Sequence, residues 1–146
     1  MITPPRPLST REVAALLALD VPARLASIDE RGFPHVTPLW FVWEHGAFHL
    51  TSLSDRPHLR RLERNPRAGL CIDVEQGERE DGERPNRQVR AVGEAELFPD
   101  ADGTWTRRIT EKYVHGPGAS RSAARAVDAR VVIRIRPSRL VAVASV

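Results

Sequence analysis

A run of anion-seeking side chains stands between residues 51 and 58. Thr51 and Ser52 end an apolar stretch, and Arg56 and His58 flank Pro57. Two hydroxyls, a guanidinium fork and an imidazole beside a helix start, whose first N–H groups lack partners, make a surface suited to phosphate. Arg60, Arg61 and Arg64 continue the basic run, but on a short helix each reads as an ordinary solvated side chain. A second group suits a flat ring. Pro38, Leu39 and Trp40 offer apolar and aromatic walls, and Gln88 offers an amide for a polar ring edge. Trp40 and Trp43 have a plainer reading as core or dimer-interface residues, which for Trp43 carries equal weight.

Side chains that do chemistry unaided are harder to find. No nucleophile with a base and no paired carboxylates stand at useful spacing. His35, His45, His49, His58 and His115 lack metal-ligand spacing, so no metal is expected. The lone Cys71 sits in an apolar strand and reads as buried filler rather than a thiolate.

These groups must be positioned by a chain of 146 residues, which is enough for one core and is read as a single domain over residues 1–146. With 41% hydrophobic and 28% charged residues and no long apolar run, the chain reads as soluble, without a membrane partner. The N-terminus lacks a signal-like apolar stretch and one cysteine cannot build a disulfide framework, so a cytoplasmic location is expected. The 22 basic residues are nearly balanced by 19 acidic ones, so the charge does not call for a nucleic acid. Lys112 is the sole lysine.

Ser9-Thr10-Arg11-Glu12 has capping-box spacing and predicts a helix from about residue 10 to about residue 19. Strands follow at Arg24–Asp29, Pro34–Trp43 and Ala47–Ser52, joined by turns at Glu30–Phe33 and Glu44–Gly46. Asp55 as cap and Pro57 in the first turn open a short helix that Asn65-Pro66 stops. Strands are then expected at Ala68–Val74 and Arg87–Phe98, around a polar loop at Glu75–Asn86, with Gly93 marking a bulge or a close backbone approach. A helix over Thr104–Val114 is expected with Trp105, Ile109 and Val114 as its apolar side, and another near Ala119–Val127. Val131–Pro137 and Leu140–Ala144 read as two last strands. Six or seven strands with only short helices predict a mainly β fold that closes into a barrel.

Three segments carry a resemblance. Pro34-His35-Val36-Thr37-Pro38-Leu39-Trp40-Phe41 looks like the ring-lining strand of the pyridoxamine 5'-phosphate oxidase superfamily, the FMN-binding split barrels. Leu50-Thr51-Ser52 with Arg56-Pro57-His58 and the segment up to Asn65-Pro66 is similar to that family's phosphate-gripping strand, turn and helix. Arg87-Gln88-Val89-Arg90-Ala91-Val92-Gly93-Glu94-Ala95-Glu96-Leu97 resembles its Gln-containing strand most closely.

The resemblance implies a six- to seven-stranded split β-barrel acting as an oxidoreductase on an unidentified small molecule. It implies FMN bound at a homodimer interface, by Pro38, Leu39, Trp40, Thr51, Ser52, Arg56, His58 and Gln88, with Trp105, Tyr113 or Arg139 candidates to complete the site from the second copy. The family also holds users of the deazaflavin factor 420, which is the alternative cofactor. A non-catalytic flavin or haem carrier is the alternative outside catalysis. Oxidation of pyridoxamine phosphate itself is not expected, because no second phosphate site is visible. Where the family commonly has a phosphate-binding lysine, this chain has His58, a weaker anion partner when neutral.

Overall fold

The computed structural model describes residues 5–75, 77, 82, 84–116 and 130–145. The strands are β1 (Arg6–Pro7), β2 (Ala23–Ile28), β3 (Pro34–Leu39), β4 (Phe41–Glu44), β5 (Ala47–Leu53), β6 (Arg67–Glu75), β7 (Asn86–Pro99) and β8 (Arg130–Ser145). The helices are α1 (Thr10–Ala18), α2 (Pro57–Arg64) and α3 (Thr104–Tyr113). The strands pair antiparallel in the order β3-β2-β6-β7-β8-β5-β4, with β1 added to β8. Among the described residues no helix is long and apolar enough to cross a membrane.

Closure follows from connectivity. β3 and β4 are the two ends of the strand order, yet only Trp40 separates them in the chain. Successive Cα atoms lie about 3.8 Å apart, so the sheet must curl until its edges nearly meet. The order contains no β3–β4 pairing, and the seam stays open as the split of the barrel. The expected Pro34–Trp43 strand is therefore two strands: β3 pairs with β2, and β4 with β5.

Period-two alternation fills the interior. Leu25, Phe41, Phe48, Leu50, Leu70, Ile72, Val89, Ile133 and Ile135 point inward and are buried, with Leu16 and Leu17 of α1 packed against them. α1 starts as expected: Ser9 Oγ accepts from Glu12 N at 3.2 Å, and Ser9 N donates to Glu12 Oε2 at 2.8 Å. α2 differs in its first turn, where Pro57 is N1 but Arg56 rather than Asp55 is the cap residue. The buried residues of α3 are Thr106, Ile109 and Thr110, while Trp105 and Val114 are half-buried. The expected helix near residues 119–127 lies outside the described residues.

The last two expected strands are one. β8 runs through Pro137 because the irregularity is a bulge, with Val92 opposite Arg139, Gly93 opposite Pro137, and Ser138 as the extra residue. Ser138 Oγ donates to the Val92 carbonyl at 3.2 Å, which ties the bulge down.

α3 also fastens the seam. Tyr113 Oη donates to the Val21 carbonyl at 2.8 Å and accepts from Phe41 N at 3.3 Å. Lys112 Nζ donates to the carbonyls of Leu17 at 2.9 Å and Phe41 at 3.0 Å and lies 3.7 Å from the Phe41 ring centroid. The sole lysine thus binds the last turn of α1 to the strand after Trp40, where a cation suits unpaired helix carbonyls.

His49 is 2% exposed beneath α3, its ring stacked on Trp105 at 3.8 Å and 5°. Its Nε2 accepts from Arg134 Nε at 3.0 Å, so the neutral ring carries its proton on Nδ1, which meets no well-placed acceptor among the described residues. Burial first, and Arg134 next, push its pKa down from 6.5 to about 4. The unfolded chain therefore binds the extra proton more readily between those values. Stability present above about pH 6.5 should be lost as pH falls towards 4. Urea unfolding at pH 7.5 and 5.0 should differ by about 2 kcal/mol more in wild type than in His49→Gln. Equal differences in the two proteins would show that His49 is not the titrating group.

Candidate functional site

The end of β5 turns into α2 within three residues, and the residues around that turn line a cleft of about 450 Å³. That volume lies in the range of small-ligand sites. Thr51, Ser52 and Leu53 come from β5, Arg56, Pro57, His58 and Arg61 from the α2 segment, Thr37 and Leu39 from β3, and Arg130 from β8. The register explains the meeting: Ser52 pairs with Val131 and Leu53 with Arg130, so the start of β8 lies beside the end of β5.

The cleft is strongly cationic. Arg56, Arg61 and Arg130 line it, and no carboxylic acid lines it among the described residues. Arg61 Nε donates to Ser27 Oγ at 2.9 Å, and Ser27 is 1% exposed inside the barrel. That bond fixes the guanidinium and leaves its terminal nitrogens to the cleft. Arg130 Nε is buried and has no partner among the described residues. An unpaired buried donor is costly, and an anion in the cleft is a chemically suited acceptor. The residues present therefore fit a phosphate group.

At the base of the cleft, His58 Nε2 lies 2.7 Å from Ser52 Oγ, with the two residues 5% and 4% exposed. Burial lowers the His58 pKa below the usual imidazole value, and the charges of Arg61 and Arg56 lower it further. In the free protein His58 is thus neutral at pH 7, and its Nε2 faces Ser52 rather than open space.

Of the eight residues expected in a site, five meet here: Leu39, Thr51, Ser52, Arg56 and His58. Pro38 is next to them on β3, but strand alternation turns it to the exposed outer face. Trp40 stands beside the seam, 46% exposed, its ring stacked on Tyr113 at 4.8 Å and 1°. Gln88 lies apart, hydrogen-bonded through Nε2 to Asn86 Oδ1 at 3.0 Å. Pro99 is level with Ser52 through Val131, and Gln88 is eleven residues away from Pro99 along β7. At about 3.3 Å per residue that is roughly 36 Å of strand, so one chain does not bring Gln88 to this cleft.

Arg61 and Arg130 are the site residues that sequence reasoning passed over. Arg61 carried a signal, since it is three residues after His58 and shares its helix face. Arg130 carried none, because its place depends on the β5–β8 register. Arg60 and Arg64 are exposed as expected, bonded to the Asp55 carbonyl and to Glu30. Trp43 packs on Phe48 at 4.5 Å against the core. Trp105 and Tyr113 are stacked within their own chain, and Arg139 pairs with Val92 on β7. Burial raises the Cys71 pKa and Asp73 raises it further, which keeps a thiol rather than a thiolate. Among the described residues no three His, Cys, Asp or Glu side chains gather as a metal site.

Comparison with known proteins places this architecture. The chain resembles a conserved hypothetical protein of Mycobacterium tuberculosis, with TM-score 0.74 and 24% identity over 92% of this chain and 84% of that one. A FAD-binding protein of Mesorhizobium loti superposes with TM-score 0.68 and 21% identity, over 99% of this chain and 100% of the other. An F420 reductase gives TM-score 0.62 and 23% identity, over 86% and 93% of the two chains. No curated protein sequence matches the chain. The sequence model of pyridoxamine 5'-phosphate oxidase matches residues 9–144, nearly the whole length. With the split barrel and a cationic cleft at the β5–α2 turn, that match establishes that the chain belongs to the pyridoxamine 5'-phosphate oxidase family.

Proposed function

We propose that this protein is an FMN-dependent oxidoreductase whose cleft at the β5–α2 turn holds the cofactor phosphate. The observation that carries this reading is three guanidinium groups around the Ser52–His58 pair, with no carboxylate in the lining among the described residues. Thr51, Ser52, Arg56, His58, Arg61 and Arg130 would hold the phosphate. Leu39 and Trp40 would flank the ring. The flavin would supply the redox chemistry, while the protein binds, orients and excludes water. Haem has less support, since His49 and His58 already engage Arg134 and Ser52 through Nε2.

The reading includes a homodimer. Gln88, Arg90 and Val92 alternate onto the outer face of β7, beside a largely apolar groove of about 540 Å³ that includes Ala26, Ile28, Gly69 and Val92. Val36 and Val92 are 65% and 51% exposed there, which suits burial against a second copy. Packing through this face would carry Gln88 towards the partner's cleft and resolve its separation from Ser52 within one chain.

The test is the absorbance spectrum of the purified protein, followed by mass identification of whatever it releases. Flavin bands and FMN mass are expected. A colourless protein that leaves added FMN fluorescence unquenched would defeat the reading. Gln88→Ala should shift the flavin spectrum or weaken binding several-fold without changing the melting temperature. An unchanged spectrum and affinity in that folded variant would remove Gln88 from the site.

A further inference from the structure

We propose that the buried Ser52–His58 pair makes the cleft selective for a terminal phosphate monoester over a phosphodiester, by taking up a proton when the dianion binds. The inference rests on the cofactor-phosphate reading of the cleft and adds to it which phosphate chemistry is preferred.

The geometry carries the argument. Ser52 Oγ and His58 Nε2 are 2.7 Å apart and almost wholly enclosed. A hydroxyl has one hydrogen to donate. When Nε2 accepts that hydrogen, Ser52 has none for a ligand. When His58 is an imidazolium, both of its nitrogens are donors, so Nε2 must donate to Ser52 Oγ. The hydroxyl hydrogen must then point elsewhere. Its other acceptor within reach, the Leu53 carbonyl, is at 3.4 Å, a poor bond. A phosphate oxygen in the cleft is the better partner. A neutral ring with its proton on Nε2 frees the same hydrogen, but only the imidazolium also brings the positive charge that a dianion stabilises.

The charges around His58 decide when this happens. Arg56 and Arg61 on its own segment and Arg130 from β8 are cationic, Ser52 on β5 is neutral, and Asp55 sits beyond Arg56 with its Oδ1 3.9 Å from Arg56 Nε. Among the described residues no carboxylate lines the cleft to hold a proton on His58 in the free protein, so a bound anion supplies the compensating charge. A monoester is close to a dianion above its second pKa of about 6. A phosphodiester has one charge at each phosphorus and no free end to place against the base of the cleft. The monoester therefore favours the imidazolium more strongly than a diester does.

The experiment is calorimetric titration at pH 7.5 in two buffers of different ionisation enthalpy, with FMN, with factor 420, whose phosphate is a diester, and with riboflavin as a phosphate-free control. At that pH free FMN is almost fully dianionic and free His58 is neutral, so uptake reports the protein. FMN should take up more than about half a proton per site, since its binding must carry the His58 pKa past 7.5. Factor 420 and riboflavin should take up close to none. His58→Gln, whose amide can still donate to Ser52, should bind FMN roughly tenfold more weakly with no uptake. Ser52→Ala should lose most of the preference for FMN over factor 420. FMN binding without uptake, equal uptake with factor 420, or full uptake in His58→Gln would overturn the inference and leave the cofactor reading standing. Absence of FMN binding to the wild-type protein would remove both.

Discussion

Replacing Arg56 and Arg61 together by alanine should weaken FMN binding about 10²- to 10⁴-fold while leaving riboflavin binding almost unchanged. Each guanidinium would donate charge-assisted bonds to the phosphate, worth roughly 1.5–3 kcal/mol apiece, and every 1.4 kcal/mol is about a factor of ten in affinity. The two side chains are not equivalent. Arg56 is 54% exposed, so its removal should act on binding alone. Arg61 also satisfies Ser27 Oγ inside the barrel, so Arg61→Ala leaves a buried hydroxyl with one partner fewer and should cost about 1–3 kcal/mol of stability. Fluorescence titration with FMN and riboflavin, alongside thermal melts of both single variants, separates the effects. If FMN and riboflavin bind wild type equally well, no phosphate sits in the cleft.

Most strands were legible because one face of each is buried. The alternation in Ala23–Ile28 and Arg67–Glu75 is imposed by the barrel interior and appears directly in residue type. The break at Trp40 left no such trace, since Pro34–Glu44 has no turn signal. What breaks the strand is a change of partner, held by Tyr113 and Lys112 from a helix more than seventy residues later. Pro137-Ser138 misled in the opposite direction, because a proline opposite a glycine at a bulge interrupts the ladder without ending the strand.

The site was legible to the same depth. Residue types at 51–58 pointed to an anion site, and the β5–α2 turn brings those residues together around one cationic cleft. The direction of each side chain was not legible. His58 reads as an imidazole aimed at the ligand, and in the folded chain its Nε2 meets Ser52 Oγ at 2.7 Å. Arg61 reads as solvated until α2 is laid on β2. Such orientations depend on packing between elements, which a linear pattern does not encode.

Gly93→Ala should be the most destabilising single methyl addition in the chain's strands, at about 3 kcal/mol or more, or should prevent folding. A Cβ built at Gly93 would lie 2.6 Å from the Arg136 carbonyl oxygen and 3.2 Å from Ile135 Cγ2. The first of these is backbone in the middle of β8, so no side-chain rotation relieves it. The φ of Gly93 is not in the left-handed region, so conformational freedom is not the reason for glycine here. Closeness of two backbones is. The bulge at Ser138 lies beside this close approach, and adding a methyl group would push apart the two longest strands of the barrel. Gly69→Ala is the control, because its added Cβ would meet Ala26 Cβ and the Ala91 carbonyl oxygen only at 3.7 and 3.8 Å, ordinary contact distances. Chemical denaturation of the two variants should place Gly69→Ala within about 1 kcal/mol of wild type and Gly93→Ala far below it. Comparable midpoints would mean that β7 and β8 separate easily at the bulge, and that the close approach is not what holds the register on either side of it.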